Sequence, residues 1–176
     1  MIAYYELTEA IKDFLQNDPE VNTVELRGID DIDTSKTSIF ALGHIMVENA
    51  EFIDGVARFS IRVSVMDLVD ERRVNINDIP ADERWKGIDN RQDVLNTTLS
   101  VIERLVTYIQ KGSLADVAYE LQSHSAEPFE ERFENLLTGW TSTMIIDVPN
   151  SVQNCSGTFE SYGEIESMLP PYEAAK

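Results

Sequence analysis

The stretch TGWTSTMIIDVP, Thr138 to Pro149, decides how the whole chain is read. Trp140, Ser142, Met144, Ile146 and Val148 alternate with Thr141, Thr143, Ile145 and Asp147, and the run is rich in β-formers until Pro149 stops it. That period of two describes a strand. It is nearly free of charge in an acidic protein, and the chain that follows it, PNSVQNCSGTFESYGEIESMLPPYEAAK, is polar and contains a Pro-Pro pair. The expectation is an extended C-terminal arm over 151–176 with no core of its own, and a late apolar strand covered by another subunit.

Working outward, the segment from Ser38 to Asp67 reads as a long hairpin. In its first arm Phe40, Leu42, His44 and Met46 point one way, and Ile39, Ala41, Gly43, Ile45 and Val47 the other, so a strand covered on both sides is expected. In the second arm Ala57, Phe59, Ile61, Val63 and Val65 oppose Arg58, Ser60, Arg62 and Ser64, the alternation of a half-exposed antiparallel strand. ENAEFIDG, Glu48 to Gly55, is expected to form the turn, with Asp54-Gly55 taking positive φ angles.

Two amphipathic helices accompany these strands. Near the start, Tyr4, Leu7, Ile11 and Phe14 recur at helical spacing, and Asn17, Asp18 and Pro19 end the run. A short strand follows in NTVELRG and stops at Gly28. The second helix begins at Asp89, expected as N-cap with Gln92 completing a capping-box variant, and stops at Gly112 in left-handed conformation. Leu95, Leu99, Ile102, Val106 and Ile109 form its expected core stripe. DVAYELQ then reads as a strand with Val117, Tyr119 and Leu121 on one face, whereas AEPFEERFENLLTG fits either a short helix or an irregular segment.

The fold class expected is therefore α+β. A mostly antiparallel twisted β-sheet with a long hairpin packs against two amphipathic helices in one domain over 1–150. At 176 residues such a chain buries roughly 70% of its unfolded surface.

Chemistry is sparse. His44 sits on an apolar strand face and reads as a structural histidine; His124 is far from it in sequence, and Cys155 has no orienting partner in the pattern. The loop IDDIDTSKTS lacks the glycine and the twelfth-position glutamate of a calcium-binding loop, so a solvated turn is expected. Glu127, Glu130, Glu131 and Glu134 read as a solvated acidic face. No catalytic, cofactor-binding or metal-binding residues are assigned, and a non-enzymatic protein is expected.

Asp plus Glu outnumber Lys plus Arg by 32 to 14, giving a net charge of −18. Phosphate backbones attract cationic proteins, so a DNA grip is disfavoured, while an acidic lining past which DNA slides is compatible with the balance. A single cysteine suits a reducing compartment, and the beginning MIAYYELTEAIKDF lacks the blocks of a signal peptide, so assembly in a cytoplasm without membrane partners is expected. Within the polar segment from Leu68 to Asp89, Arg72, Arg73, Arg84 and Lys86 cluster loosely around Trp85. Trp85 either tucks back on its own domain or anchors a partner, and the basic residues either meet a neighbour or pair with nearby acids.

The order helix, strand, long hairpin, loop, capped helix, strand and Trp-led strand resembles the tail terminator and tail completion proteins of tailed bacteriophages. The local match is ERFENLLTGWTSTMIIDVPNSVQNC, with Gly139-Trp140 opening the strand and Val148-Pro149-Asn150 closing it ahead of Cys155. The resemblance implies a virion protein of the tail or neck, assembled in the host cytoplasm as a hexameric ring. Such a ring caps the tail tube and joins it to head-side connector proteins, and DNA passes through its channel without sequence-specific binding. On that reading, Phe40, Leu42, Met46, Trp140, Met144, Ile146 and Val148 lie near subunit contacts, and Arg72, Arg73, Trp85 and Lys86 reach the tube or a neighbour. Other phage neck or connector proteins, and an acidic inhibitor or immunity-type binder that mimics nucleic acid, are the alternatives.

Overall fold

The structure, a computed structural model, describes residues 3–26, 39–53, 55–70, 77, 79–87, 89–112, 119–130 and 136–149. It is α+β. Helix α1 spans Ala3–Asn17 and α2 Arg91–Lys111; strands β1 (Thr23–Glu25), β2 (Leu42–Ile53), β3 (Val56–Leu68), β4 (Glu120–Glu130) and β5 (Leu137–Pro149) form one sheet in the order β1-β2-β3-β5-β4. All neighbouring pairs are antiparallel except β1 with β2, so the sheet is mixed.

Both helices lie on the same face of this sheet. Leu7, Ile11 and Leu15 of α1, and Val101, Leu105 and Ile109 of α2, bury into one cluster with Ala57, Phe59, Ile61, Val63 and Val65 of β3. Met144, Ile146 and Val148 of β5 complete it. Each fully buried Leu or Ile there contributes ~1.5–3 kcal/mol of transfer free energy. The α1 stripe is shifted from Tyr4 to Leu15: Leu7, Ile11 and Leu15 form one i, i+4 ridge, while Tyr4 remains exposed against Tyr5.

The α2 stripe is broader than expected. Val94, Thr98, Val101 and Leu105 are buried beside Ile102, Val106 and Ile109, whereas Leu95 and Leu99 are half-buried. A helix resting on a sheet of several strands presents a wide face, not a narrow seam. Its N-cap is Asn90 with no side-chain cap bond; Asp89 Oδ1 instead accepts the Arg91 N–H at 3.2 Å, and Gln92 is exposed. Gly112 closes the last turn through an ordinary bond from its N–H to the Tyr108 carbonyl, with φ −94° and no left-handed stop.

Three strand boundaries correct the expectations. The first arm of the hairpin begins at Leu42, and Glu48–Ile53, expected as turn, continue as strand beyond a bulge between Val47 and Asn49. Ile53 pairs with Val56, so reversal takes two residues, with Gly55 at φ +84° supplying the positive φ that such a turn needs. Cover on both faces extends only to the start of β2. Leu42 joins Met66, Phe129 and Leu137 in a second cluster on the face away from the helices. The short strand β1 ends at Glu25 and leaves Leu26 exposed.

The ambiguous segment is a strand as far as Glu130, because β4 runs from Glu120 through Pro128. Proline is tolerated there since β4 is the edge of the sheet and one side of its backbone has no ladder to complete. The position expected to need cover from outside is the opposite of an edge. β5 lies between β3 and β4, and Gly139 makes its entry possible: a Cβ there would stand 2.0 Å from the Val65 carbonyl oxygen. The calcium-like loop, Val117 and the arm over 151–176 fall outside the described residues.

Candidate interaction surfaces

Burial divides the expected subunit-contact residues sharply. Leu42, Met144, Ile146 and Val148 are enclosed by their own chain, which corrects their assignment to a contact surface. For the β5 residues the reason is spatial order, since α2 precedes β5 in sequence yet already lies over it, and Leu42 is covered by Met66, Phe129 and Leu137 on the opposite face. Trp140 is half-buried, packs on the main cluster and donates its indole N–H to the Leu95 carbonyl at 2.9 Å, pinning β5 to α2. Phe40 and Met46 are half-buried, the former against the second cluster.

The face of the sheet away from the helices is polar at its centre. Cross-strand register brings His44, Ser64, Thr141 and Glu127 into one row, and Met46, Arg62, Thr143 and Ser125 into the next. These residues, with Pro128 and Phe129, line a cavity of about 370 Å³. Ser64 and Thr141 share a hydroxyl hydrogen bond of 2.9 Å, and Arg62 pairs with Glu48. Farther along, Arg58 donates twice to Asp147, at 2.7 and 2.8 Å. Those hydrogen bonds hold the Asp147 carboxyl below its usual range, against the opposing effect of burial and with help from the guanidinium charge.

His44 is buried on this face, whereas His124 pairs with Met144 on the helix-side register and is exposed. The two imidazoles point to opposite sides of the sheet and do not form a joint site. No group of three metal-ligating side chains occurs among the described residues, and no helix among them is long and apolar enough to cross a membrane.

Besides Tyr4, Tyr5 and Leu26, two exposed apolar features of the described residues stand outside the core. Among the described residues β1 pairs only with Leu42–His44, so there the distal half of β2 forms a sheet edge, and it ends in Phe52, 74% exposed, and Ile53. Trp85 is also 74% exposed, in a single 3-10 turn, Arg84–Lys86, whose arginine donates to the Ile79 carbonyl at 3.1 Å. Trp85 therefore does not tuck back on the described part of its own domain. Arg72 and Arg73 lie outside the described residues.

Sequence reasoning missed the surface between the helices. Asp18, read only as a helix terminator, is buried and receives two hydrogen bonds of 2.7 Å from Arg104 on α2. Beside this pair Phe14 stacks on Tyr108 with ring centroids 4.8 Å apart. Together they wall a groove of about 1010 Å³ along the C-terminal halves of both helices. Heptad-like spacing identifies buried stripes and carries no information about which polar residues meet across helices.

No protein-family model matches the chain, and no curated protein matches it significantly.

Proposed function

We propose that the chain is a structural, non-enzymatic ring subunit of the tail terminator or tail completion kind. Copies assemble into a closed ring that caps a phage tail tube, joins it to the head-side connector and leaves a channel for DNA. The observation that carries this reading is the distal half of β2. Among the described residues it is an unpaired edge outside the helix-covered body, and it ends in the exposed Phe52 and Ile53. Unpaired edges invite another chain unless they are guarded. The other edge, β4, is guarded by Pro128, by a register shift between Leu121 and Ser123, and by Glu120 and Glu127. The β2 edge has a bulge and two glutamates of its own, yet keeps the apolar tip.

A closed ring satisfies such a surface with different patches on each copy and leaves none free. The charge of −18 suits a channel that DNA traverses without sticking. Electron microscopy of the purified chain, alone and with tail tubes, tests the proposal. Rings with a central channel, and density at tube ends, are the expected images; particles of single-chain size that ignore tube ends contradict it. The same charge also suits an acidic binder that occupies a basic enzyme. That reading requires a salt-sensitive one-to-one complex and no self-association.

A further inference from the structure

The features that the core leaves unused differ in kind and fit each other. One is a knob: the Arg84–Lys86 turn, with an indole 74% exposed between two exposed cationic side chains. The other is the groove between α1 and α2, about 1010 Å³, walled by Phe14, Tyr108, Asp13, Glu103, Arg104 and Thr107 among others. We infer that the Arg84-Trp85-Lys86 turn of one copy seats in the α1/α2 groove of a second copy. This inference rests on the ring reading and names the contact within it.

Chemistry supports the seat. The stacked Phe14 and Tyr108 rings offer aromatic surface to an indole and to a flanking cation. Asp18 is already engaged by Arg104, but Asp13 and Glu103 are exposed carboxylates on the rim, facing the charge that Arg84 and Lys86 bring. The groove also lies at the C-terminal ends of both α1 and α2, where the helix dipole favours cations, although Lys111 on the same rim offsets part of this. A volume of this order accommodates a tryptophan with parts of its neighbours, since pockets for drug-sized ligands run about 300–1,000 Å³.

Geometry makes the contact intermolecular. The turn precedes the N-terminus of α2, whereas at 1.5 Å per residue Tyr108 lies roughly 25 Å farther along the helix than Arg91. Trp85 is no part of its own chain's groove wall. Because knob and groove are distinct patches, the contact propagates head to tail.

Sedimentation velocity of Trp85→Ala and Thr107→Arg, alone and mixed, tests the seat. Both positions are exposed, and arginine is a good helix former, so both variants are expected to keep the wild-type far-UV circular dichroism spectrum. Wild type is expected to assemble and each variant to remain monomeric. An equimolar mixture is expected to give a one-to-one dimer, because one intact turn then meets one intact groove. If wild type assembles and either variant assembles equally well, the seat is wrong while the ring reading survives. A wild type that never associates removes both. Should either variant lose its fold, a charge exchange decides: Lys86→Glu is expected to weaken association at least tenfold and Glu103→Lys to restore it. Failure of that rescue overturns the inference.

Discussion

Arg104 holds Asp18 through two hydrogen bonds of 2.7 Å, joining the turn after α1 to the middle of α2 across 86 residues of sequence. Asp18 also accepts the Glu20 N–H at 3.0 Å, so one carboxylate fixes the chain as it leaves the helix and heads for β1.

The pair is asymmetric, and that asymmetry makes a prediction. Asp18 has a side chain only 3% exposed, whereas that of Arg104 is 43% exposed. Arg104→Ala strands a buried carboxylate and is expected to cost about 2–3 kcal/mol; Asp18→Ala leaves a guanidinium free to hydrate and is expected to cost about 1–2 kcal/mol. Urea titrations of the two variants check the order, and a costlier Asp18→Ala contradicts it.

Acid should weaken the same link. Burial by itself raises the Asp18 carboxyl, but the Arg104 hydrogen bonds, the Glu20 N–H and the guanidinium charge outweigh it and lower the carboxyl from 3.8. A depressed folded-state value means stability present above the unfolded value and lost as pH falls through the folded one. Wild type should therefore lose stability below about pH 4 more steeply than Asp18→Ala does. Parallel slopes for the two proteins refute this.

Asp67 has the opposite sign. Burial raises its carboxyl above 3.8 even though it accepts the Leu68 N–H at 2.7 Å. Its contribution is therefore full below the unfolded value and lost as pH rises through the folded one. Asp67→Asn keeps an acceptor for that N–H and removes the charge, so a higher thermal midpoint than wild type is expected at neutral pH. The advantage should shrink as pH falls toward the unfolded value, and a variant less stable than wild type at neutral pH contradicts this account.

Gly139 tolerates no side chain. A Cβ would meet the Val65 carbonyl oxygen at 2.0 Å and the Met66 Cα at 2.8 Å, both backbone atoms of a central strand. Gly139→Ala is expected to destabilise by about 3 kcal/mol through strand separation. A loss under about 0.5 kcal/mol, the range of ordinary surface changes, shows that β3 and β5 adjust at little cost.

Phe52 should report on assembly and not on folding. It is 74% exposed near the end of β2, so Phe52→Glu is expected to keep the wild-type far-UV circular dichroism spectrum while weakening self-association. A variant that unfolds assigns Phe52 to the core, and one that assembles normally removes the β2 edge from the contact.

How much of this was visible beforehand depended on whether a residue's environment is local. β3 was legible because one face is buried by helices and the other is polar, which writes a clean period of two into Ala57 to Val65. β5 is legible as a strand, but its cover is not, because a late position in the chain carries no information about exposure in space. Glu48–Ile53 reads as a turn, and Ala126–Glu130 as a short helix or an irregular segment, since edge strands carry charges and proline to deter pairing, the same residues that mark turns. The Asp18–Arg104 bridge and the Phe14–Tyr108 stack arise from helix packing over long sequence separations, and no local pattern announces either.

The most direct test is the mass of the full chain in solution, measured by sedimentation or native mass spectrometry across a wide concentration range. The proposed ring, with the six copies that the resemblance to tail terminator proteins implies, predicts one closed species at six times 19.9 kDa, persisting on dilution. A species that stays at 19.9 kDa at every concentration contradicts it.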